Sequence, residues 1–127
     1  KKARRIRKML GGGMRQVGII AAGAMFALEN NLDRISEDHR RARNLAKRLA
    51  ESGAFEIDPD EIQTNIVVID LPSSLNLDHF INKLKSMGVL VVPFGVSRIR
   101  AVAHLDVNDD DIGRAAEILI ESIRTEI

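Results

Sequence analysis

Two basic residues flank three consecutive glycines near the start of the chain, with Lys8 before Gly11–Gly13 and Arg15 after them. Glycine allows backbone angles that other residues avoid and lets a ligand approach the main chain closely. The sequence predicts a basic helix before the glycines and an apolar helix from Met14, whose N–H groups and dipole would favour an anion. The segment therefore predicts a phosphate or carboxylate site. The structural alternative is a helix C-cap with solvated charges.

The composition argues against several other kinds of site. The chain has no Cys, so a thiol nucleophile, a disulfide and a Cys-based zinc site are excluded. His39, His79 and His104 have no metal-binding spacing, and we predict no metal site. Four Phe and no Tyr or Trp leave little material for stacking on nucleic-acid bases.

Hydropathy gives no indication of a membrane segment. A membrane-spanning helix needs about 20 apolar residues in sequence. The longest apolar stretch, residues 17–28, is too short and contains Gly18 and Gly23. Since no secretory signal is evident either, we predict a cytoplasmic protein without a membrane partner.

Charge is distributed unevenly along the chain. Residues 1–52 carry 13 Lys and Arg against 5 Asp and Glu, whereas residues 53–127 carry 6 against 13. Such a division is typical of nucleic-acid binding, or of a helical layer that meets an acidic partner or an anionic ligand. Because the sequence opens on a basic helix without Met, we expect the C-terminal piece of a longer protein.

The first part of the sequence predicts three helices, at residues 1–10, at 14–30, and from Asp33 or Ser36 to about Ser52. The second helix is apolar around most of its circumference. Such a helix is expected to be buried or to lie in a subunit interface.

From residue 53 the pattern predicts a short edge strand at 55–57, strands at 64–70, 89–92 and 98–103, and helices at 77–87 and 109–126. This order is a β-α-β-β-α open-faced sandwich with helices on one face. The predicted fold class is therefore α/β (α+β), with a helical segment at 1–52 and a small α/β domain at 53–127.

Several sequence blocks together resemble the low-specificity L-threonine aldolase family of pyridoxal 5′-phosphate (PLP) enzymes, fold type I. The resemblance covers essentially the whole chain and rests on four blocks: Arg7–Gln16 (RKMLGGGMRQ), Asp38-His39, Gln63–Val67 (QTNIV) and Arg98–Val107 (RIRAVAHLDV). It implies the C-terminal part of such an enzyme, including its small C-terminal domain.

The resemblance implies a lyase that cleaves a β-hydroxy amino acid, L-threonine or L-allo-threonine, to glycine and an aldehyde. PLP is the implied cofactor, and the lysine that forms a Schiff base with it is expected upstream of this chain. We therefore expect no catalytic residue in this chain and no activity of the chain alone. The implied partners are the amino-acid substrate, the missing N-terminal large domain, and further copies in a homodimer or homotetramer.

The resemblance also assigns individual residues. Arg100 matches the arginine expected to hold the substrate α-carboxylate, a task that suits a planar two-pronged donor. Lys8 and Arg15 match basic residues expected near the PLP phosphate, and Gly12 and Gly13 would let the backbone pass close to the cofactor. His104 matches a position that we expect to orient the turn between a strand and the last helix.

Two alternatives from other functional classes stay open at this point. A small nucleic-acid-binding module would use the basic residues 1–8 on phosphates, although few aromatics and an acidic second half speak against it. A regulatory amino-acid-binding domain would have the same β-α-β-β-α order, with its ligand at the edge of the sheet rather than at Arg100.

Overall fold

The computed structural model describes residues 1–126, and it confirms the predicted mixed class of helices with a small open sheet. Over these residues the chain forms five α-helices and one antiparallel sheet of three strands. The helices are α1 (Lys2–Met9), α2 (Gly18–Asn30), α3 (Ile35–Glu51), α4 (Leu77–Ser86) and α5 (Asp109–Arg124), and the strands are β1 (Ile66–Asp70), β2 (Val92–Pro93) and β3 (Arg98–Val102).

The chain divides into two compact units, the first spanning Lys1–Arg34 and the second beginning at Ile35. Helix α3 therefore belongs to the unit that contains the sheet. The predicted domains at 1–52 and 53–127 stay a prediction.

In the first unit, α1 ends in a hydrogen-bonded glycine turn. The Gly11 N–H donates to the Lys8 carbonyl at 3.2 Å, and the Gly12 N–H donates to the Arg7 carbonyl at 2.8 Å. Gly11 has a φ of +84°. This pair of bonds is the Schellman arrangement, in which a left-handed residue satisfies the last carbonyls of a helix.

The second helix starts later than the sequence predicts, at Gly18 instead of Met14. Gln16 has a φ of +50°, outside the right-handed helical region, so residues 14–17 do not continue the helix. No residue of α1 or α2 is buried.

The second unit is built on a sheet with strand order β1-β3-β2. Strand β3 is central and antiparallel to both neighbours; Ile66 lies opposite Val102, and Val92 lies opposite Arg100. Burial alternates along the strands, since Val67, Ile69 and Ile99 are buried and their neighbours are more exposed. Helices α3, α4 and α5 share the core with these buried strand residues, so one sheet face is covered and the other is open.

Local signals set the helix ends in this unit. Gly53 and Gly88, both with positive φ, follow α3 and α4. Asn108 and Asp111 form a capping box at the start of α5. Arg40 on α3 donates to both carboxylate oxygens of Asp109 on α5, at 2.9 and 2.8 Å.

Two strand predictions were wrong in this unit. Residues 55–57 form no strand, although Phe55 is buried in the core. The strand predicted at 89–92 is reduced to Val92–Pro93, so Pro93 pairs in the sheet and residues 89–91 do not. Apolar residues in an irregular segment resemble a strand when only their pattern is read.

Within residues 1–126, no helix is long and apolar enough to cross a membrane.

Candidate functional site

Arg100 lies at the centre of the open face of the sheet. It stands on the middle strand β3, opposite Val68 on β1 and Val92 on β2. Residues directly opposite each other on paired strands point to the same face. Ile66 and Val102 form the next row of that face, and each is more than a third exposed. Arg100 is therefore a cation surrounded by aliphatic side chains on an uncovered surface.

The guanidinium of Arg100 lacks an internal partner. Its Nε is buried, and the Nε–H donates to no acceptor in the part of the chain that the structure describes. A buried donor without an acceptor is costly, and more so when it is charged. Arg100 therefore keeps a donor that no residue of the described chain satisfies, and carboxylates are the strong acceptors for such a donor.

Arg98 stands two residues away on the same face, and its environment is different. Its Nε lies 3.7 Å from Oδ1 of Asp70, the residue directly opposite on β1. Its guanidinium also lies 5.2 Å from the centre of the Phe94 ring, a cation–π distance. Asp70 therefore offsets the charge of Arg98, whereas Arg100 stays available.

The residues predicted to contact the cofactor lie in the first unit. Lys8 and Arg15 are exposed, and neither forms a side-chain hydrogen bond or ion pair within residues 1–126. A Cβ at Gly12 would lie 2.9 Å from the Arg7 carbonyl oxygen, whereas one at Gly13 would meet only the Lys8 side chain, at 3.7 Å. Gly12 is therefore required by the turn itself, and Gly13 is not.

The glycine segment differs from the sequence expectation in one respect. The prediction placed the start of an apolar helix directly after the glycines, but α2 begins at Gly18. The Schellman turn corresponds to the C-cap alternative. The dipole of α2 therefore does not begin at Gly11–Gly13, and any anion there would depend on Lys8, Arg15 and backbone N–H groups. The roles assigned to these residues stay predictions.

Arg100 and His104 lie in the second unit, whereas Lys8, Arg15 and the glycines lie in the first. His104 lies in the turn between β3 and α5, where its Nδ1 accepts a hydrogen bond from the Asp106 N–H at 3.3 Å. This contact agrees with the predicted structural role. Among residues 1–126, no group of three or more His, Asp or Glu side chains is placed to hold a metal ion.

Sequence reasoning did not find the surroundings of Arg100. Val68 and Asp70 on β1 are far along the chain from Val92 and Phe94, and only the strand register brings the two pairs together. The alternation of Arg98, Arg100 and Val102 was the available signal, because it placed these three residues on one face.

Comparison with known proteins shows what the chain is similar to. Residues 1–72 match the sequence model of the family described as "Beta-eliminating lyase". Low-specificity L-threonine aldolase 1 of Arabidopsis thaliana is 34% identical over 113 residues, which is 87% of this chain and 32% of that protein. The low specificity L-threonine aldolase of Escherichia coli (strain K12) is 38% identical over 116 residues, 91% of this chain and 33% of that protein.

A fungal relative extends the comparison. The aldolase vrtJ of Penicillium aethiopicum is 32% identical over 123 residues, which is 94% of this chain and 30% of that protein. The chain spans about a third of the length of the curated relatives it matches, in their C-terminal part.

Proposed function

Because the chain belongs to the beta-eliminating lyase family, whose members depend on PLP, we propose that it is the C-terminal part of a threonine-aldolase-like lyase. The complete protein would cleave L-threonine or L-allo-threonine to glycine and acetaldehyde. Bound PLP would supply the electron sink for this cleavage. The names of the relatives support the substrate class, and the geometry around Arg100 supports the place where the substrate binds.

One observation carries the proposal: Arg100 has a buried, unpaired Nε on an open apolar face. An amino-acid substrate brings an α-carboxylate, which a guanidinium binds through two parallel hydrogen bonds. Val68 and Val92 flank Arg100 on this face, and a bound substrate that covers them would exclude water from the ion pair and so strengthen it. In this proposal Arg100 binds and orients the substrate and takes no part in proton transfer.

The glycine turn fits the phosphate end of the cofactor. Lys8 and Arg15 have no internal anionic partner in the described chain, so their charges are available to a dianion. Gly13 carries no side chain that would keep a phosphate from the backbone, and Gly12 lets the turn close, since its own N–H donates to the Arg7 carbonyl. We assign Lys8, Arg15, Gly12 and Gly13 to that contact, and the lysine that binds PLP covalently to the portion of the enzyme outside this chain.

The same proposal explains why the apolar side chains of helix α2 are exposed in this chain. Its apolar side chains include Ile19 and Phe26, which are 89% and 62% exposed, and this is unusual for a helix of such composition. In the complete enzyme these side chains would be covered by the N-terminal large domain or by another copy in a homodimer or homotetramer.

A product assay tests the function. The complete gene product that contains these residues is expected to release glycine and acetaldehyde from L-threonine when PLP is supplied, and the 127-residue chain alone is expected to release neither. Failure of the complete protein to form glycine from either threonine diastereomer would contradict the proposal, as would glycine formation by the chain alone.

Cofactor affinity tests the phosphate contact in the complete protein. Lys8→Gln and Arg15→Gln are each expected to weaken PLP binding by roughly tenfold, because each removes a charge-assisted contact. Arg4→Gln, on the same basic helix, is the matched control and should leave the affinity unchanged. Equal affinities in all three variants would refute the assignment.

A further inference from the structure

The second unit contains a cavity that neither the substrate site nor the relatives account for. Its volume is about 340 Å³, and it lies between α5, the end of β3 and the segment that follows α4. Its floor is formed by side chains of the hydrophobic core, Leu45, Ile112 and Leu119. This volume is at the lower end of the range for small-molecule sites, which indicates a ligand of amino-acid size.

The cavity exists because two strands separate. Strands β2 and β3 pair at Val92 with Arg100, and continuing this register would place Leu90 opposite Val102. The Phe94 N–H donates to the Arg98 carbonyl, so Phe94 and Arg98 form a hydrogen-bonded pair. In an antiparallel ladder every second pair is hydrogen-bonded. The next such pairs are therefore Val92 with Arg100 and then Leu90 with Val102. Within residues 1–126 no hydrogen bond joins Leu90 to Val102. The separated strands leave backbone N–H and C=O groups at the cavity.

One positive and one negative side chain line the same cavity. Arg114 and Asp111 stand one helical turn apart on α5, and both line the cavity. Arg114 has no side-chain partner among the described residues. Asp111 uses Oδ2 to accept the Asn108 N–H at 3.0 Å, while its Oδ1 accepts no hydrogen bond in the described chain. The two charges do not form an ion pair with each other.

We propose that this cavity binds an amino acid with a branched aliphatic side chain, at a second site separate from Arg100. The α-carboxylate would pair with Arg114, the α-ammonium with the open oxygen of Asp111, and the side chain would lie on the apolar floor. A simple carboxylic acid would leave Asp111 unpaired, and a simple amine would leave Arg114 unpaired. Arg114 and Asp111 together therefore favour a zwitterion over a simple acid or a simple amine.

The neighbouring backbone supports the same class of ligand. The N–H and C=O groups at Leu90 and Val102 lack their ladder partners, and an amino acid can donate to one and accept from the other. Val89 and Val91 add aliphatic wall on the side away from α5. The two charges, the unpaired backbone groups and the aliphatic lining thus each have a counterpart in an aliphatic amino acid.

Calorimetric titration of the full chain with L-leucine tests the proposal. We expect saturable binding, and affinity at least about tenfold lower for 4-methylpentanoate, which lacks the amine, and for isoamylamine, which lacks the carboxylate. Absence of saturable heat at millimolar leucine would overturn the proposal. Equal binding of all three compounds would also overturn it, because the charges would then select nothing.

Variants locate the ligand. Arg114→Gln and Asp111→Asn should each weaken leucine binding by roughly tenfold, and Asn at 111 keeps an oxygen for the capping bond. Asp110→Asn is the matched control, since Asp110 precedes Asp111 on α5 and does not line the cavity. Arg100→Gln should leave leucine affinity unchanged; if it abolished binding, leucine would occupy the substrate site and the second site would be refuted. Unchanged melting temperatures of the variants would exclude loss of fold as the cause.

Discussion

The two units of this chain differ in whether they bury their apolar residues. The second unit has a hydrophobic core, in which Phe80, Leu49 and Leu119 are completely buried. The first unit buries none, although α2 is richer in apolar residues than any other helix. An average hydrophobic content of 45% hides this division. The comparison teaches that a helix that is apolar all round depends on surfaces outside its own unit, whereas an amphipathic helix completes its packing locally.

The two units also differ in whether their basic side chains have carboxylate partners. In the second unit Arg40, Arg98 and Lys83 each have a carboxylate partner. In the first unit Lys8 and Arg15 have none among the described residues. Arg100 has no carboxylate partner among the described residues either, although its Nε is buried on the sheet. The proposed function assigns anions to these three cations.

The largest expected difference between the units concerns two phenylalanines. Phe80→Ala should lower the free energy of unfolding by about 3–5 kcal/mol, because it removes a completely buried ring and leaves a cavity. Phe26→Ala removes a ring that is 62% exposed, and the free energy of unfolding should change by no more than about 0.5 kcal/mol. Urea unfolding of the chain, followed by far-UV circular dichroism, measures both. Comparable losses would mean that Phe26 is packed, and the contrast between the units would fail.

A smaller difference is expected within the glycine turn. Gly12→Ala places a Cβ against the Arg7 carbonyl and should cost about 1 kcal/mol at the end of α1. Gly13→Ala, with its nearest contact at 3.7 Å, is the matched control and should be tolerated. Cα chemical shifts of residues 4–9 report the helix population. Equal shifts in the two variants would show that the turn does not require glycine at position 12.

The smallest expected effect depends on pH. Hydrogen bonds from Arg40 lower the pKa of Asp109 below its ordinary value of 3.8. A carboxyl whose folded pKa is lowered stabilises the fold above its unfolded pKa, and the contribution is lost as the pH falls through the folded value. Asp109→Asn should therefore melt slightly below the wild type at pH 7, and the two melting temperatures should converge below pH 3.8.

Asp110→Asn is the control for that pH series. It lies in the same first turn of α5, so it shares the interaction with the helix dipole, but it has no carboxylate contact to α3. At pH 7 its melting temperature should fall less than that of Asp109→Asn, because it loses only the interaction with the helix dipole. A gap for Asp109→Asn that persisted at low pH would show that the ion pair with Arg40 is not its source.

The sequence predicted most elements because their signals are local. The amphipathic stripe of α3, the acidic start of α5 and the glycines at 53 and 88 act within a few residues of where they stand. The strands β1 and β3 followed from β-branched alternation. The predictions that were wrong depend on features that the residue pattern does not encode. Phe55 is buried although it lies in a loop, and the positive φ of Gln16 makes α2 start later than predicted. Residues 89–91 do not pair with β3.

The candidate site was predictable only in part for the same reason. Arg100 and the glycine segment stood out by residue type and by resemblance. The pairing of Asp70 with Arg98, which distinguishes the two arginines, requires the register between β1 and β3. The cavity at Arg114 requires knowledge of where two strands separate.

Steady-state kinetics of Arg100→Lys in the complete enzyme test the central claim most directly. Lysine keeps the charge but loses the two-pronged donor, so KM for L-threonine should rise by roughly tenfold or more with kcat little changed, since carboxylate binding serves ground and transition states alike. Arg98→Lys, the neighbour already paired with Asp70, should alter KM by less than about twofold. An unchanged KM for Arg100→Lys, or an equal rise in both variants, would contradict the assignment of the substrate carboxylate to Arg100.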